Sequence, residues 1–151
     1  MVQLPFLISA DMKQAESQED DVSIEGMRIL LAEDNELNME IAEFLLTNAG
    51  AEIIRASNGK EAVEVFAKSG VGEINVILMD IMMPVMDGLE ATREIRIMNR
   101  SDASAVVIIA MTANAFTEDK TKALKSGMDD YLTKPLESEK LIRALSRYKH
   151  N

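Results

Sequence analysis

The sequence predicts an α/β protein with a doubly wound, five-stranded parallel sheet and five helices. From residue 27 onward, short apolar runs alternate five times with segments whose apolar residues recur at helical spacing. This alternation is typical of parallel strands joined by right-handed crossover helices. Residues 106–111 also form a continuous apolar run, which indicates a strand buried on both faces.

The first half of the pattern contains three predicted strands and two helices. Residues 29–32 form the first strand, and apolar residues at positions 37, 41, 44 and 45 mark a helix that Gly50 stops. After a strand at residues 52–56, we interpret Asn58 and Gly59 as a strand-to-helix turn rather than a hairpin, because helical spacing follows them. The third strand ends at Asp80.

The second half adds two strands and three helices. Pro84 and Gly88 mark a loop, and a helix is predicted over residues 89–98. The fourth strand ends at Thr112, and a helix over residues 116–125 follows it, with Gly127 as its stop. Residues 131 and 132 form a short fifth strand, and apolar positions 141, 145 and 148 mark the last helix.

The composition excludes several classes of protein. The chain has 151 residues, a net charge of −10 and no cysteine, which rules out disulfides, thiolate metal sites and cysteine nucleophiles. No apolar run approaches the ~20 residues of a membrane span, and no basic face typical of nucleic-acid binders is evident. His150 is the only histidine, so we do not expect a complete histidine kinase in this chain.

Two regions are expected along the chain. Residues 1–26 form an N-terminal tail and acidic linker, because residues 10–26 combine few large apolar side chains with a surplus of acid. Such a composition does not support a packed core. Residues 27–149 form the folded domain.

Polar side chains follow four of the predicted strands. Glu33 and Asp34 follow the first strand, Asp80 closes the third, Thr112 closes the fourth and Lys134 follows the fifth. Because ligands bind at the carboxyl ends of the strands in open parallel sheets, we expect these groups to line one crevice. Three carboxylates, a hydroxyl and an ammonium suit a hard divalent cation and a phosphoryl group.

The segments that carry these residues resemble the receiver domain of bacterial two-component response regulators. The matching stretches are residues 29–35 (ILLAEDN), 76–88 (VILMDIMMPVMDG), 111–113 (MTA) and 131–135 (YLTKP). Each motif is weak alone, but the four in this order form a specific set, and the resemblance covers residues 27–149. It implies a flavodoxin-like fold with strand order 2-1-3-4-5.

The resemblance implies a role for each residue of the phosphorylation site. Asp80 is similar to the aspartate that accepts the phosphoryl group, while Thr112 and Lys134 would contact its oxygens. Thr112 and Tyr131 resemble a pair that switches conformation on phosphorylation. The bond between Lys134 and Pro135 is expected to be cis, against a base rate of roughly 5–6% for such bonds.

A metal site is implied in the same crevice. Glu33, Asp34 and Asp80 resemble the carboxylate ligands of Mg²⁺, and the backbone carbonyl of Met82 resembles a fourth ligand. A cation would relieve the repulsion between carboxylates that lie a few ångströms apart. Mn²⁺ is expected to substitute for Mg²⁺.

The implied function is that of a phosphoacceptor in two-component or phosphorelay signalling. Asp80 would take a phosphoryl group from a phosphohistidine, on a histidine kinase dimerisation domain or a histidine phosphotransfer protein, and the domain would then switch or relay it. The isolated domain is not expected to be an enzyme, although it would promote its own phosphorylation and dephosphorylation. A homodimer formed through the last two helices is one expected assembly. We expect the domain to make no direct contact with nucleic acid or membrane. Its expected location is the cytoplasm.

The N-terminal residues suggest an origin in a larger protein. Residues 2–6 (VQLPF), ahead of the acidic linker, resemble the closing strand of a histidine-kinase ATPase domain. We therefore hypothesise that the chain is the C-terminal receiver of a hybrid sensor histidine kinase. A parent protein of this kind is compatible with a membrane anchor.

Three other functions remain open on the sequence. A flavodoxin-like binder of small molecules would need a Gly- or Ser/Thr-rich phosphate loop where Glu33 and Asp34 stand. A phosphatase with an aspartate nucleophile would need a second aspartate two residues after Asp80, where Met82 stands. An interaction module that is not phosphorylated would not need the complete set of acids with Thr112 and Lys134.

Overall fold

The computed structural model describes residues 22–113 and 117–149, and within these ranges strands and helices alternate along the chain. The strands are β1 (Arg28–Ala32), β2 (Glu52–Ala56), β3 (Val76–Asp80), β4 (Val107–Thr112) and β5 (Asp130–Thr133). The helices are α1 (Glu36–Asn48), α2 (Gly59–Lys68), α3 (Gly88–Arg96), α4 (Thr117–Ser126) and α5 (Ser138–Ser146).

The strands form a single parallel sheet in the order β2-β1-β3-β4-β5, which confirms the predicted fold. β3 lies at the centre and is buried along its whole length. β2 and β5 are the edge strands and keep part of their surface exposed. This arrangement places the strand that ends in Asp80 in the middle of the crevice.

Helices cover both faces of the sheet, because side chains that are neighbours along a strand point to opposite faces. Leu30 belongs to the cluster formed with α2, α3 and α4, where Phe66 is fully buried. Leu31 belongs to the cluster formed with α1 and α5, where it packs with Leu46 and Leu141. Both clusters are apolar, so burial on each face holds the sheet in place.

Among the described residues, side chains cap the start of α1, α2 and α3. Asn35, Asn58 and Asp87 each accept a hydrogen bond from the backbone N–H three residues ahead, which satisfies a group that a helix leaves unpaired at its start. The cap at Asn58 confirms the strand-to-helix turn. After α1, Gly50 has a φ of +98°, a left-handed conformation that favours glycine.

The folded part begins earlier than residue 27. Ile24 has no exposed surface and packs in the cluster with α1 and α5, so the residues next to the first strand are not all linker. Burial of an isoleucine side chain contributes about 1.5–3 kcal/mol, and one apolar residue among acids gives no periodic signal in the sequence. Residues 1–21 of the predicted tail lie outside the described residues. Within the described ranges, no helix has the length and apolar character that crossing a membrane requires.

Candidate functional site

The predicted site residues, apart from Tyr131, meet at the carboxyl edge of the sheet. The register pairs Asp80 of β3 with Met111 of β4, and Thr112 with Thr133 of β5. Strand ends that share a register in this way bring residues from distant parts of the chain to one level. Glu33, directly after β1, is held there by its backbone N–H, which donates to the Ala56 carbonyl at 3.0 Å.

Three carboxylates form a compact acidic cluster. Glu33, Asp34 and Asp80 each offer an oxygen, and these oxygens lie within 4.8 Å of one another. Glu33 and Asp80 are buried at 4% and 5% exposure, whereas Asp34 is exposed at the mouth of the crevice. Carboxylate oxygens at this spacing, with one side open to solvent, fit a hard cation such as Mg²⁺ that keeps several waters.

Lys134 lies between two of the carboxylates. Its Nζ donates to Glu33 Oε1 at 2.8 Å and to Asp80 Oδ2 at 3.0 Å. Its backbone N–H donates to the Thr112 carbonyl at 2.8 Å, which attaches the residue to the end of β4. The peptide bond between Lys134 and Pro135 is cis, the isomer expected from the resemblance.

The ionisation of Asp80 reflects these neighbours. The pKa of Asp80 is raised from 3.8 to about 6. Burial is the largest cause, and together with Glu33 it raises the pKa by more than the hydrogen bond from Lys134 lowers it. Burial lowers the pKa of Lys134, but its hydrogen bonds to Glu33 and Asp80 outweigh burial, so the net pKa is raised. The ammonium therefore stays charged and available to an anion at neutral pH.

The loop after β3 is tied to the Asp80 side chain. The Met82 backbone N–H donates to Asp80 Oδ1 at 3.3 Å, and the Met82 side chain is 79% exposed. The Gly88 N–H closes the loop by donating to the Ile81 carbonyl at 2.9 Å. Val85 has a φ of +69°, an uncommon conformation for a β-branched residue.

The remaining predicted residues lie on β4 and β5. Thr112 is 6% exposed at the end of β4, beside the carboxylate cluster. Tyr131 is half-buried on β5 and packs against the cluster that α2, α3 and α4 form with the sheet. The Nζ of Lys120 lies over the Tyr131 ring, 4.7 Å from its centroid.

Sequence reasoning missed two contributors to the site. The Asn35 N–H donates to Glu33 Oε2 at 3.2 Å while its side chain caps α1, so one residue starts the helix and orients the acid. The residue type of Asn35, next to Glu36 at the helix start, is a signal that could have found it. Lys120 is the second, and it had no such signal, because its contact depends on how α4 packs on β5.

A sequence profile for the response regulator receiver domain matches residues 29–146. The chain belongs to the response regulator receiver domain family. A relative of this receiver domain is hybrid signal transduction histidine kinase I of Dictyostelium discoideum, 41% identical over 121 residues that are 79% of this chain. The chain spans 7% of the length of that relative. Because this relative is from a eukaryote, the bacterial origin suggested by the resemblance to bacterial response regulators is not supported.

Two solved structures are similar to this receiver domain. The receiver domain of sensor histidine kinase PA1611 from Pseudomonas aeruginosa is 40% identical, with a TM-score of 0.73 over 82% of this chain and 97% of that one. Its structure holds a magnesium ion coordinated in the active-site cleft. The receiver domain of Ssk1 from Saccharomyces cerevisiae, crystallised with the histidine phosphotransfer protein Ypd1, is 32% identical, with a TM-score of 0.72 over 82% and 89%.

Proposed function

We propose that this receiver domain accepts a phosphoryl group on Asp80 from a phosphohistidine and transmits the change through a phosphorelay. The observation that carries the proposal is the position of Lys134, whose ammonium bridges the buried carboxylates of Asp80 and Glu33. A cation held against a nucleophilic carboxylate is suited to an incoming anionic group. The family membership supports the same reading.

The transfer would proceed in line at phosphorus. An oxygen of the Asp80 carboxylate attacks, the new O–P bond forms as the N–P bond of the phosphohistidine breaks, and the imidazole leaves as a neutral base after taking up a proton. Lys134 and the Thr112 hydroxyl would receive the phosphoryl oxygens. Positioning and charge supply most of the catalysis in such reactions.

The acidic cluster would hold Mg²⁺ through Glu33, Asp34, Asp80 and the backbone carbonyl of Met82, with Mn²⁺ as a substitute. When bound, the cation neutralises the carboxylates and the transferred group. The donor set of three carboxylates within 4.8 Å supports this assignment. The magnesium ion seen in the PA1611 receiver domain is an observation on that protein that agrees with it.

The exposed face of α1 is suited to docking a protein that carries the phosphohistidine. Leu37, Ile41 and Phe44 lie on this face at 65%, 46% and 66% exposure, and Ile41 also lines a small cleft with Lys134 and Leu136. Large apolar side chains beside a polar crevice are typical of a protein interface. A partner seated on this face would bring its histidine close to Asp80, and we propose that the transfer takes place in the cytoplasm.

The experiment that tests the function is the intact mass of the protein after incubation with acetyl phosphate. We expect a gain of one phosphoryl group that needs Mg²⁺ and is absent in Asp80→Asn. A gain that persists in Asp80→Asn would contradict the assignment of the acceptor. If acetyl phosphate gives no gain, a phosphorylated histidine phosphotransfer protein is the second donor, and no transfer from either donor would leave an interaction module as the better description.

A further inference from the structure

A side chain of α4 lies over the aromatic ring of β5. The Lys120 ammonium is 4.7 Å from the ring centroid of Tyr131, within the ~6 Å over which a cation is attracted to an aromatic face. Both residues are half-buried, so solvent screens this contact less than it would a contact between fully exposed groups. The contact therefore contributes to how α4 sits against β5.

β5 joins this contact to the phosphorylation site. The strand has four residues and lies at the edge of the sheet, with Tyr131 near its start and Lys134 directly after its end. Within the sheet, β5 pairs with β4. A small shift of β5 is therefore opposed by backbone hydrogen bonds along one of its sides alone. A phosphoryl group on Asp80 would compete with the Glu33 and Asp80 carboxylates for the Lys134 ammonium. Movement of Lys134 toward this group would shift β5, the strand that carries Tyr131.

We infer that Lys120 is a positioning residue that favours the unphosphorylated conformation through its contact with Tyr131. The inference rests on the proposed function, because it couples this contact to an event at Asp80. A contact that is present in the unphosphorylated conformation and weakened in the phosphorylated one shifts the equilibrium toward the unphosphorylated conformation. By linkage, the affinity for the phosphoryl group falls by the factor that corresponds to the free energy of the lost contact. For a cation–π contact this change is about two- to fivefold.

The test measures the affinity of the 151-residue chain for beryllium fluoride, a reversible mimic of the phosphoryl group, in the presence of Mg²⁺. We expect Lys120→Gln to bind it about two- to fivefold more tightly than the wild type. Lys120→Arg keeps a cation over the ring and should restore the wild-type affinity. Lys125→Gln is the matched control, because Lys125 is exposed on the same helix and the same charge is removed.

A double-mutant cycle separates the contact from a general effect of charge. In the Tyr131→Leu background, Lys120→Gln should cause no further change in affinity. An equal change in both backgrounds, an equal change in Lys125→Gln, or no change in Lys120→Gln would each overturn the inference. Failure of the wild type to bind beryllium fluoride with Mg²⁺ would instead remove the proposed function, and the inference with it.

Discussion

The Asp80 carboxylate contacts the Lys134 ammonium, which also contacts the buried carboxylate of Glu33, and the ionisation of Asp80 depends on the balance between these two neighbours. Burial and Glu33 favour the protonated form, whereas Lys134 favours the charged form that can attack phosphorus. Lys134 contacts both acids with one ammonium group. The same side chain therefore favours the ionised form of Asp80 and, in the proposed transfer, would offer a positive charge to the incoming phosphoryl group.

Lys134→Gln should slow phosphorylation by acetyl phosphate. Loss of a charge-assisted hydrogen bond worth about 1.5–3 kcal/mol predicts a rate about 10- to 100-fold lower. The rate is measured by intact mass at fixed concentrations of acetyl phosphate and Mg²⁺. Lys140→Gln is the control, because Lys140 forms an exposed ion pair with Glu137 on the surface, and equal rates in the two variants would refute the role of Lys134.

Val85 shows how a single residue of the site loop carries backbone strain. Its φ of +69° is a conformation that asparagine adopts more readily than a β-branched residue. Val85→Asn should raise the free energy of unfolding by about 1 kcal/mol, as measured by urea denaturation. Val71→Asn is the control, since Val71 is also exposed but does not have a positive φ; a similar gain in both variants would point to loss of surface hydrophobicity.

Two glycines let helices α2 and α3 approach the backbone of Asp80 and of the loop that follows it. The Gly59 N–H at the start of α2 donates to the Met86 carbonyl at 2.9 Å, and a Cβ at this position would overlap that carbonyl. Likewise, a Cβ on Gly88 at the start of α3 would overlap the carbonyl oxygen of Asp80. The starts of two helices are thereby packed directly on the backbone that positions Asp80, the proposed acceptor.

Gly88→Ala should therefore affect both stability and function. The backbone must shift to relieve the overlap with Asp80, which costs about 1–3 kcal/mol of unfolding free energy and moves the acceptor, so phosphorylation should slow as well. Gly70→Ala makes the same change where the nearest atom, in the Glu73 side chain, would be 3.5 Å away. An unfolding transition of Gly88→Ala that matches that of Gly70→Ala would show that this close approach is unimportant.

The stability of the whole molecule should depend on pH through Asp80. In the folded protein the pKa of Asp80 is about 6, above its ordinary value of 3.8, so the folded state binds the proton more tightly than the unfolded chain does. Without metal, this group lowers stability as pH rises from about 4 to about 6, and the loss persists above that range. Asp80→Asn lacks the loss and should be more stable than the wild type by about 1–2 kcal/mol at pH 7, after allowance for screening by solvent.

Thermal and urea unfolding in EDTA at pH 4 and pH 7 check this expectation. The advantage of Asp80→Asn should be present at pH 7 and small at pH 4, and an advantage of equal size at both would contradict it. Mg²⁺ at pH 7 should stabilise the wild type more than the variant, because a ligand that binds the folded state alone adds to stability.

Much of the architecture could be predicted from the sequence, because the two signals used, the apolar run of each strand and the polar residue at its end, lie next to each other along the chain. The apolar run of β3 and the polar residue that ends it are contiguous, and parallel strands then bring Asp80, Thr112 and Lys134 to one edge. Contacts between distant segments were not predictable in this way. For example, Arg100 Cζ lies over the Phe66 ring, 4.3 Å from its centroid, and the Arg100 guanidinium donates to the Phe66 carbonyl. No sequence pattern near either residue predicts this contact.

The ion pair between Glu33 and Lys134 joins residues 101 positions apart. A growing polypeptide in which β1 and β3 have left the ribosome already carries the carboxylate of Asp80, the proposed acceptor, but not the Lys134 ammonium beside it. Reactivity should therefore arrive only when the fifth strand leaves the ribosome and completes the sheet. An unfinished or prematurely terminated chain would therefore not be phosphorylated, and it would not compete with intact copies for the phosphoryl donor.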